Sequence, residues 1–93
     1  YLPIDTQLRM KAIKDLENES KRKNSTQIFI ETPYRNNQLL ETLLKTCQPQ
    51  TKICIAANIT GPDELIKTKP VGEWKKQTID LHKKPVIFLL HSA

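Results

Sequence analysis

Residues Gln27–Cys47 read QIFIETPYRNNQLLETLLKTC. Ile28, Phe29 and Ile30 form a short, continuous apolar run of strand-forming residues, too brief for a helix of its own. The run ends abruptly in Glu31, followed by Thr32, Pro33, Tyr34 and Arg35. Leu39, Leu40, Leu43, Leu44 and Cys47 then fall on one helical face, with Asn36 and Asn37 as candidate N-caps and Gln48-Pro49 as the stop. The segment therefore reads as strand, polar loop, helix. A strand that is apolar on both faces belongs in the middle of a sheet covered by helices. Together with the next apolar run, Ile53–Ala57, it predicts a right-handed β-α-β crossover.

Working outward, Tyr1-Leu2-Pro3-Ile4 reads as the tail of a strand or an extended linker. Asp5 or Thr6 can cap a helix to about Lys23. Leu8, Ala12, Ile13 and Leu16 make its apolar face, so only its first half is expected to pack on a core. The pairs Glu17–Lys21 and Glu19–Lys23 have the favourable spacing for helix support. Asn58 to Asp63 carries Asn, Gly, Pro and Asp and reads as a turn joining antiparallel strands. Leu65–Lys69 is a more exposed strand. Pro70–Lys76 is a short helix with Trp74 turned inward, Asp80–Lys84 a loop, and Val86–Leu90 the last strand. The fold class is α/β: one small domain over residues 1–93, with a mixed β-sheet of four or five strands flanked by helices.

Composition bounds the function. The chain has 93 residues, 38% of them hydrophobic and 27% charged, with a formal net charge of +5. That length supports one core. No apolar run approaches the ~18 residues of a membrane span, and the N-terminus lacks the layout of a signal peptide, so the expected compartment is the cytoplasm. The chain begins at Tyr1 and its only methionine is Met10, which reads as a piece of a longer protein. The basic excess suits RNA or another anion without requiring one. Lys21-Arg22-Lys23, Lys75-Lys76 and Lys83-Lys84 are short runs that read first as solvated surface. Cys47 and Cys54 have no zinc spacing and read as buried, reduced thiols; no metal is expected.

A self-contained catalytic set is missing. Gly61 and Gly72 are the only glycines, so the chain holds neither a Gly-rich phosphate loop nor a dinucleotide fingerprint. It has no G-x-S-x-G elbow. His82 and His91 read as surface histidines, and Asp63 and Glu64 as turn residues. That leaves Glu31–Arg35. In an open α/β sheet, ligands bind beyond the carboxyl ends of parallel strands, the place this cluster takes in the predicted crossover. Pro33 stiffens the loop and pushes Thr32 toward an extended conformation. Tyr34 can stack, and Arg35 can clamp a phosphate or carboxylate. An equally simple reading has Pro33 setting the bend and Glu31 paired with Arg35, with no ligand. Both readings stand.

The stretch IFIETPYR resembles the strand-to-loop motif of the tetrapyrrole methylase superfamily, closest to the branch that 2'-O-methylates small-subunit ribosomal RNA. That branch carries Glu, a small residue, Pro, His or Tyr, then Arg after an apolar strand, matched here by Glu31, Thr32, Pro33, Tyr34 and Arg35. Tyr1-Leu2-Pro3 resembles the Phe-Leu-Pro that opens the second domain. Ile55–Thr60 resembles an apolar strand ending in Arg-Glu-Leu-Thr, with Ala57 and Asn58 standing where the branch has Arg and Glu. Glu64–Thr68 and Val86–Leu90 resemble its later strands.

The resemblance implies the C-terminal, substrate-side domain of a two-domain, S-adenosylmethionine-dependent methyltransferase, whose N-terminal domain would carry the Gly-rich cofactor loop. It places Thr32, Pro33, Tyr34, Ala57 and Asn58 as cofactor-binding and Glu31 and Arg35 as substrate-binding, and assigns no catalytic base. The implied acceptor is ribosomal RNA or a tetrapyrrole-like small molecule; the implied partners are its own N-terminal domain and a second copy in a homodimer. This piece alone is not expected to methylate. The net charge of +5 with Arg35, Lys83 and Lys84 also supports a non-enzymatic RNA- or anion-binding module, and a plain interaction domain with an apolar exposed patch is a third reading.

Overall fold

The computed structural model describes every residue except Tyr1, Thr60, Asp63, Thr78 and Ala93. The parts of the expected opening tripeptide and Gly-Pro turn that fall on Tyr1, Thr60 and Asp63 lie outside the described residues. Helix α1 runs Thr6–Lys23; Asp5 caps it, its Oδ1 accepting the Leu8 N–H at 3.0 Å. Strand β1 is Gln27–Ile30, followed by a single 3-10 turn, Pro33–Arg35, and helix α2, Asn36–Thr46. Strands β2 (Lys52–Ala57) and β3 (Leu65–Pro70) form a hairpin, helix α3 covers Val71–Trp74, and β4 is Val86–His91. The elements match those expected in order, type and approximate bounds.

The strand order is β1-β4-β2-β3. Sheet and helices confirm the α/β class, with four strands, but each neighbouring pair is antiparallel, where a mixed sheet was expected. β1 and β2 do run in the same direction, since each is antiparallel to β4. The crossover through α2 therefore exists, but β4 is inserted between its two strands. Nothing local in β1, α2 or β2 encodes that insertion, because β4 arrives from the far end of the chain.

Helix cover is also one-sided. Phe29, Ile53, Ile55, Ala57, Val86, Phe88 and Leu90 face inward and join Ile13, Leu39, Leu40, Leu43, Cys47, Val71, Trp74 and Leu81 in one buried cluster. Phe29 and Phe88, paired across β1 and β4, stack at 5.9 Å. The Trp74 ring fills the base of α3, and its indole N–H donates to the Ile53 carbonyl at 2.8 Å. The opposite face, where both faces were expected to be covered, carries exposed Ile28, Ile30, Ile66 and Ile87. Runs such as Ile28-Phe29-Ile30 are apolar at every position, and the pleat sends alternate residues to opposite sides. One side meets helices here and the other does not.

α1 packs through Ile13 and Leu16 as expected, but its buried face is wider than the apolar stripe and leaves Leu8 out. Its buried residues are Arg9, Ile13, Glu17 and Ser20, while Leu8 is exposed. The helix is thus held along both halves, through polar groups as well as Ile13. Glu17 accepts from Thr51 Oγ1 at 2.5 Å, the Gln48 N–H at 2.8 Å and Lys14 Nζ at 2.9 Å. Ser20 Oγ donates to the Ser25 carbonyl at 2.5 Å and accepts the Ser92 N–H at 2.8 Å. The Glu17–Lys21 pair is replaced by this network; the Glu19–Lys23 pair forms at 2.7 Å. A buried carboxylate is tolerable only when its lone pairs are satisfied, and each partner of Glu17 is distant in sequence except Lys14.

Burial alone would raise the Glu17 carboxyl, but hydrogen bonds from Thr51, Lys14 and Gln48 outweigh it and hold the group below its usual 4.5. The same carboxylate, after burial itself, pushes the Cys47 thiol up to about 12. Cys47 is buried as expected; Cys54 is half-buried on the open face, and both are free thiols. Among the described residues no helix is long and apolar enough to cross a membrane.

Three outcomes follow from this network and from the burial of the two thiols. Glu17→Ala lowers stability by about 2 kcal/mol, because it strands the buried Thr51 hydroxyl and removes the partner of the part-buried Gln48 N–H. In the parent chain, the folded carboxyl titrates below its unfolded value. Its stabilisation is therefore complete above the usual 4.5 and is lost as pH falls through the lower folded value. Urea denaturation midpoints followed from neutral to acid pH should show this loss, and Glu17→Ala should flatten it. At mildly alkaline pH, iodoacetamide should label Cys54 and spare Cys47, read by peptide mass mapping.

Candidate functional site

Strands β1 and β2 both end at the same edge of the sheet, with the start of β4 between them: Ile30 pairs with Ile87, and Ala57 with Val86. Glu31 and Asn58 therefore leave this edge two strand spacings apart, about 10 Å. The crossover reasoning placed the Glu31–Arg35 cluster at this edge and the resemblance added Ala57 and Asn58; the structure brings both there.

The residues divide by burial. Glu31 is buried and fully engaged. Its Oε2 pairs with Arg9, which is itself 4% exposed and donates through Nε to the Pro3 carbonyl at 3.0 Å. Its Oε1 accepts the Thr32 N–H at 2.8 Å and meets Arg35 Nη1 at 3.5 Å. The Glu31–Arg35 pair exists, but as the weaker partner of a buried Arg9–Glu31 pair. Arg9 has no sequence signal, since a lone arginine on the charged side of a helix reads as solvated. Thr32 is half-buried, Pro33 exposed and Tyr34 68% exposed. The Arg35 side chain is 37% exposed. Ala57 packs its methyl in the core, so only its backbone borders the edge. Asn58 is half-buried with φ 52°, its N–H donating to the Pro85 carbonyl at 3.0 Å and its carbonyl accepting from Gly61 at 2.9 Å. Asn tolerates this left-handed conformation. A Cβ at Gly61 would sit 3.1 Å from the Asn58 carbonyl oxygen, a tight contact that a glycine avoids.

The loop expected over Asp80–Lys84 closes on this cluster, a meeting the sequence did not signal. The Lys83 N–H donates to the Pro33 carbonyl at 3.0 Å, with Lys83 held at φ 61°. Asn36 and Asn37, expected as caps, are helical residues whose side chains clamp this loop. Asn36 Nδ2 donates to the carbonyls of Leu81 and Lys84 at 3.2 and 2.6 Å. Asn37 Nδ2 donates to Asp80 Oδ1 at 2.9 Å, and its Oδ1 accepts the Leu81 N–H at 2.7 Å. Asp80 also accepts the His82 N–H at 3.0 Å, and these hydrogen bonds, Asn37 first, hold its carboxyl below the usual range. The His82 ring meets Tyr34 edge-on at 5.7 Å. The paired asparagines were the available signal, since two side-chain amides at a helix start can serve a neighbouring loop as well as the helix.

The edge therefore offers an exposed aromatic pair, Tyr34 and His82, rimmed by Arg35 and Lys83, over a rigid backbone. It holds no free carboxylate for general base work at Glu31. Among the described residues no group of three or more His, Cys, Asp and Glu side chains gathers for a metal. A separate groove of about 240 Å³ lies at the other end of the sheet on its open face, lined by Thr26, Lys52, Cys54, Thr68, Leu89 and His91.

The two arginines should separate in experiment. Arg9→Ala leaves the Glu31 carboxylate buried without its main partner and costs about 3 kcal/mol or more. Arg35→Ala, at a long and half-exposed contact, costs under about 1 kcal/mol. Thermal unfolding of the two variants checks the order.

No protein-family model and no curated protein matches the sequence. Among solved structures, the crystal structure of the methyltransferase CobJ superposes with a TM-score of 0.52 at 20% sequence identity, over 89% of this chain and 35% of that one. The chain thus spans about a third of the length of that protein. At this identity the likeness is one of fold: the α/β arrangement described above is shared with part of a methyltransferase.

Proposed function

We propose that this domain is the substrate-side part of an S-adenosylmethionine-dependent methyltransferase of the tetrapyrrole methylase superfamily. The observation that carries the reading is the meeting of the Glu31–Arg35 loop and Asn58 at one edge of a sheet whose fold is shared with part of a methyltransferase. The IFIETPYR motif supports the same superfamily. The acceptor in this reading is a ribosomal RNA or a tetrapyrrole-like small molecule, and a further domain of the same protein supplies the Gly-rich cofactor loop. A cytoplasmic homodimer is part of the same proposal.

The residues fit the cofactor in part. Tyr34 presents a largely exposed ring to stack on an adenine, and Thr32 and Asn58 are half-buried polar groups at the rim. Ala57 is turned into the core and offers only backbone. When bound, the cofactor supplies an electrophilic methyl on a sulfonium, so the protein's task is alignment rather than proton chemistry. The buried Arg9–Glu31 pair fixes the start of the loop, Pro33 fixes its backbone, and the clamp from Asn36 and Asn37 fixes the neighbouring loop. Such pre-set walls are what a positioning site requires.

The exposed Ile28, Ile30, Ile66 and Ile87 favour a second role for the same domain, as a packing partner for further protein. This role is compatible with the first.

Titration calorimetry of S-adenosylmethionine into the full-length protein tests the reading. Binding in the micromolar range is expected, with Tyr34→Ala weakening it roughly tenfold and Pro33→Gly by a smaller factor through lost pre-organisation. Absence of cofactor binding by the full-length protein would remove the assignment.

A further inference from the structure

Lys83 is the residue this edge has not yet accounted for. It takes a left-handed conformation, φ 61°, that lysine rarely adopts. A glycine or asparagine there would meet no such conflict, yet the position carries a cation. Its N–H is bound to the Pro33 carbonyl, which ties the loop backbone to the Tyr34 turn. His82, one residue earlier, lays its ring edge-on against Tyr34 at 5.7 Å, and both are exposed. Glu31 is buried against Arg9, while the exposed Asp80 is engaged by Asn37 and the His82 N–H. Lys84 lies close enough to Asp80 to help hold its carboxyl low. Lys83 makes no ion pair among the described residues, and Arg35 keeps only a long contact to a carboxylate already neutralised by Arg9.

We propose that the loop before β4 is the second half of the site: His82 and Lys83 join Tyr34 and Arg35 to hold a planar, anionic ligand group, a conjugated ring that carries phosphate or carboxylate. The proposal rests on the reading that this edge faces the acceptor, and it adds the residues of a second loop that hold the acceptor's ring and charge. Rings stack on exposed aromatic side chains with little regard to their identity. Lysine and arginine at the rim supply the charge that such a ring carries outward. Cations alone would bind any polyanion, and rings alone any aromatic compound. The juxtaposition selects for both features in one ligand.

The test uses the full-length protein and three probes at low salt: a single-stranded oligouridylate, a porphyrin tetracarboxylate, and linear polyphosphate as an anion without rings. At least one ring-bearing probe should bind more tightly than polyphosphate at equal charge, and which one does so identifies phosphate or carboxylate as the source. His82→Ala should weaken that probe roughly fivefold or more and leave polyphosphate unchanged. Lys83→Gly should weaken it to a similar degree and lower the salt dependence of binding. Its melting temperature should not fall, because glycine accepts φ 61° without strain; Lys83→Asn serves as a second variant that tolerates the same conformation. The proposal is overturned if neither ring-bearing probe binds, if polyphosphate binds as tightly as both, or if the His82 and Lys83 variants bind as the parent does. Cofactor calorimetry on the same samples separates the two readings. Retained S-adenosylmethionine binding with unchanged probe binding in the variants removes only the role of the loop. Lost probe binding in the variants without any cofactor binding removes only the methyltransferase.

Discussion

The buried pair between Arg9 and Glu31 sets the geometry on which the candidate site depends. Glu31 is the first residue beyond β1, and its two oxygens serve different partners. One reaches back to Arg9 on α1, and the other takes the N–H of Thr32 at the start of the loop. A carboxylate taken out of water carries a large desolvation cost unless it is both paired and hydrogen-bonded. Here both conditions hold, so the strand end, the helix and the loop are fixed to one another. Arg9 is equally committed, since its Nε holds the Pro3 carbonyl and thereby the chain before α1. The same contact that makes the loop rigid removes Glu31 from solvent. The motif's carboxylate serves as a brace, and the groups left facing outward are aromatic and cationic.

The second determinant is the insertion of β4 between β1 and β2. It lays the loop 80–84 along the edge where β1 and β2 end. Asn36 and Asn37 then clamp that loop through side chains that could have capped α2. The β4 insertion therefore builds a two-loop surface from residues more than forty positions apart in the chain. The hairpin of β2 and β3 and the short α3 complete the sheet and its inner layer; Trp74 ties α3 to β2 through the Ile53 carbonyl.

Much of this was legible in the sequence because the signals were local. The leucine stripe of α2, the Asp5 cap, the β2–β3 turn and the inward Trp74 all rest on spacing within a few residues. The edge position of Thr32, Tyr34 and Arg35 was legible too, because a helix that returns along the sheet lets the next strand run the same way as the first whether or not the two touch; Asn58 was placed there by the resemblance. What was not legible involved partners far apart. Arg9, Glu17 and Ser20 read as a solvated helix face, yet each is buried against a group brought from another element. His82 and Lys83 read as surface residues for the same reason: only the insertion of β4 puts them beside Tyr34. The open face of the sheet was hidden by uniformity, as Ile28, Phe29 and Ile30 are all apolar and give no sign of which side is covered.

The sequence by itself determined the elements, their order and the α/β class, since periodicity, caps and turns act over a turn of helix or a pair of residues. It also determined the chemistry present at the end of β1, an acid, a rigid proline, an aromatic ring and a cation. The tertiary structure alone decided the antiparallel pairing, the one-sided helix cover and which charges are buried. It also decided that the acid is internal while the cations of a second loop face outward. The physical reason is the same in each case: burying a charge or pairing a strand depends on a partner's position in space, and that position depends on the whole chain.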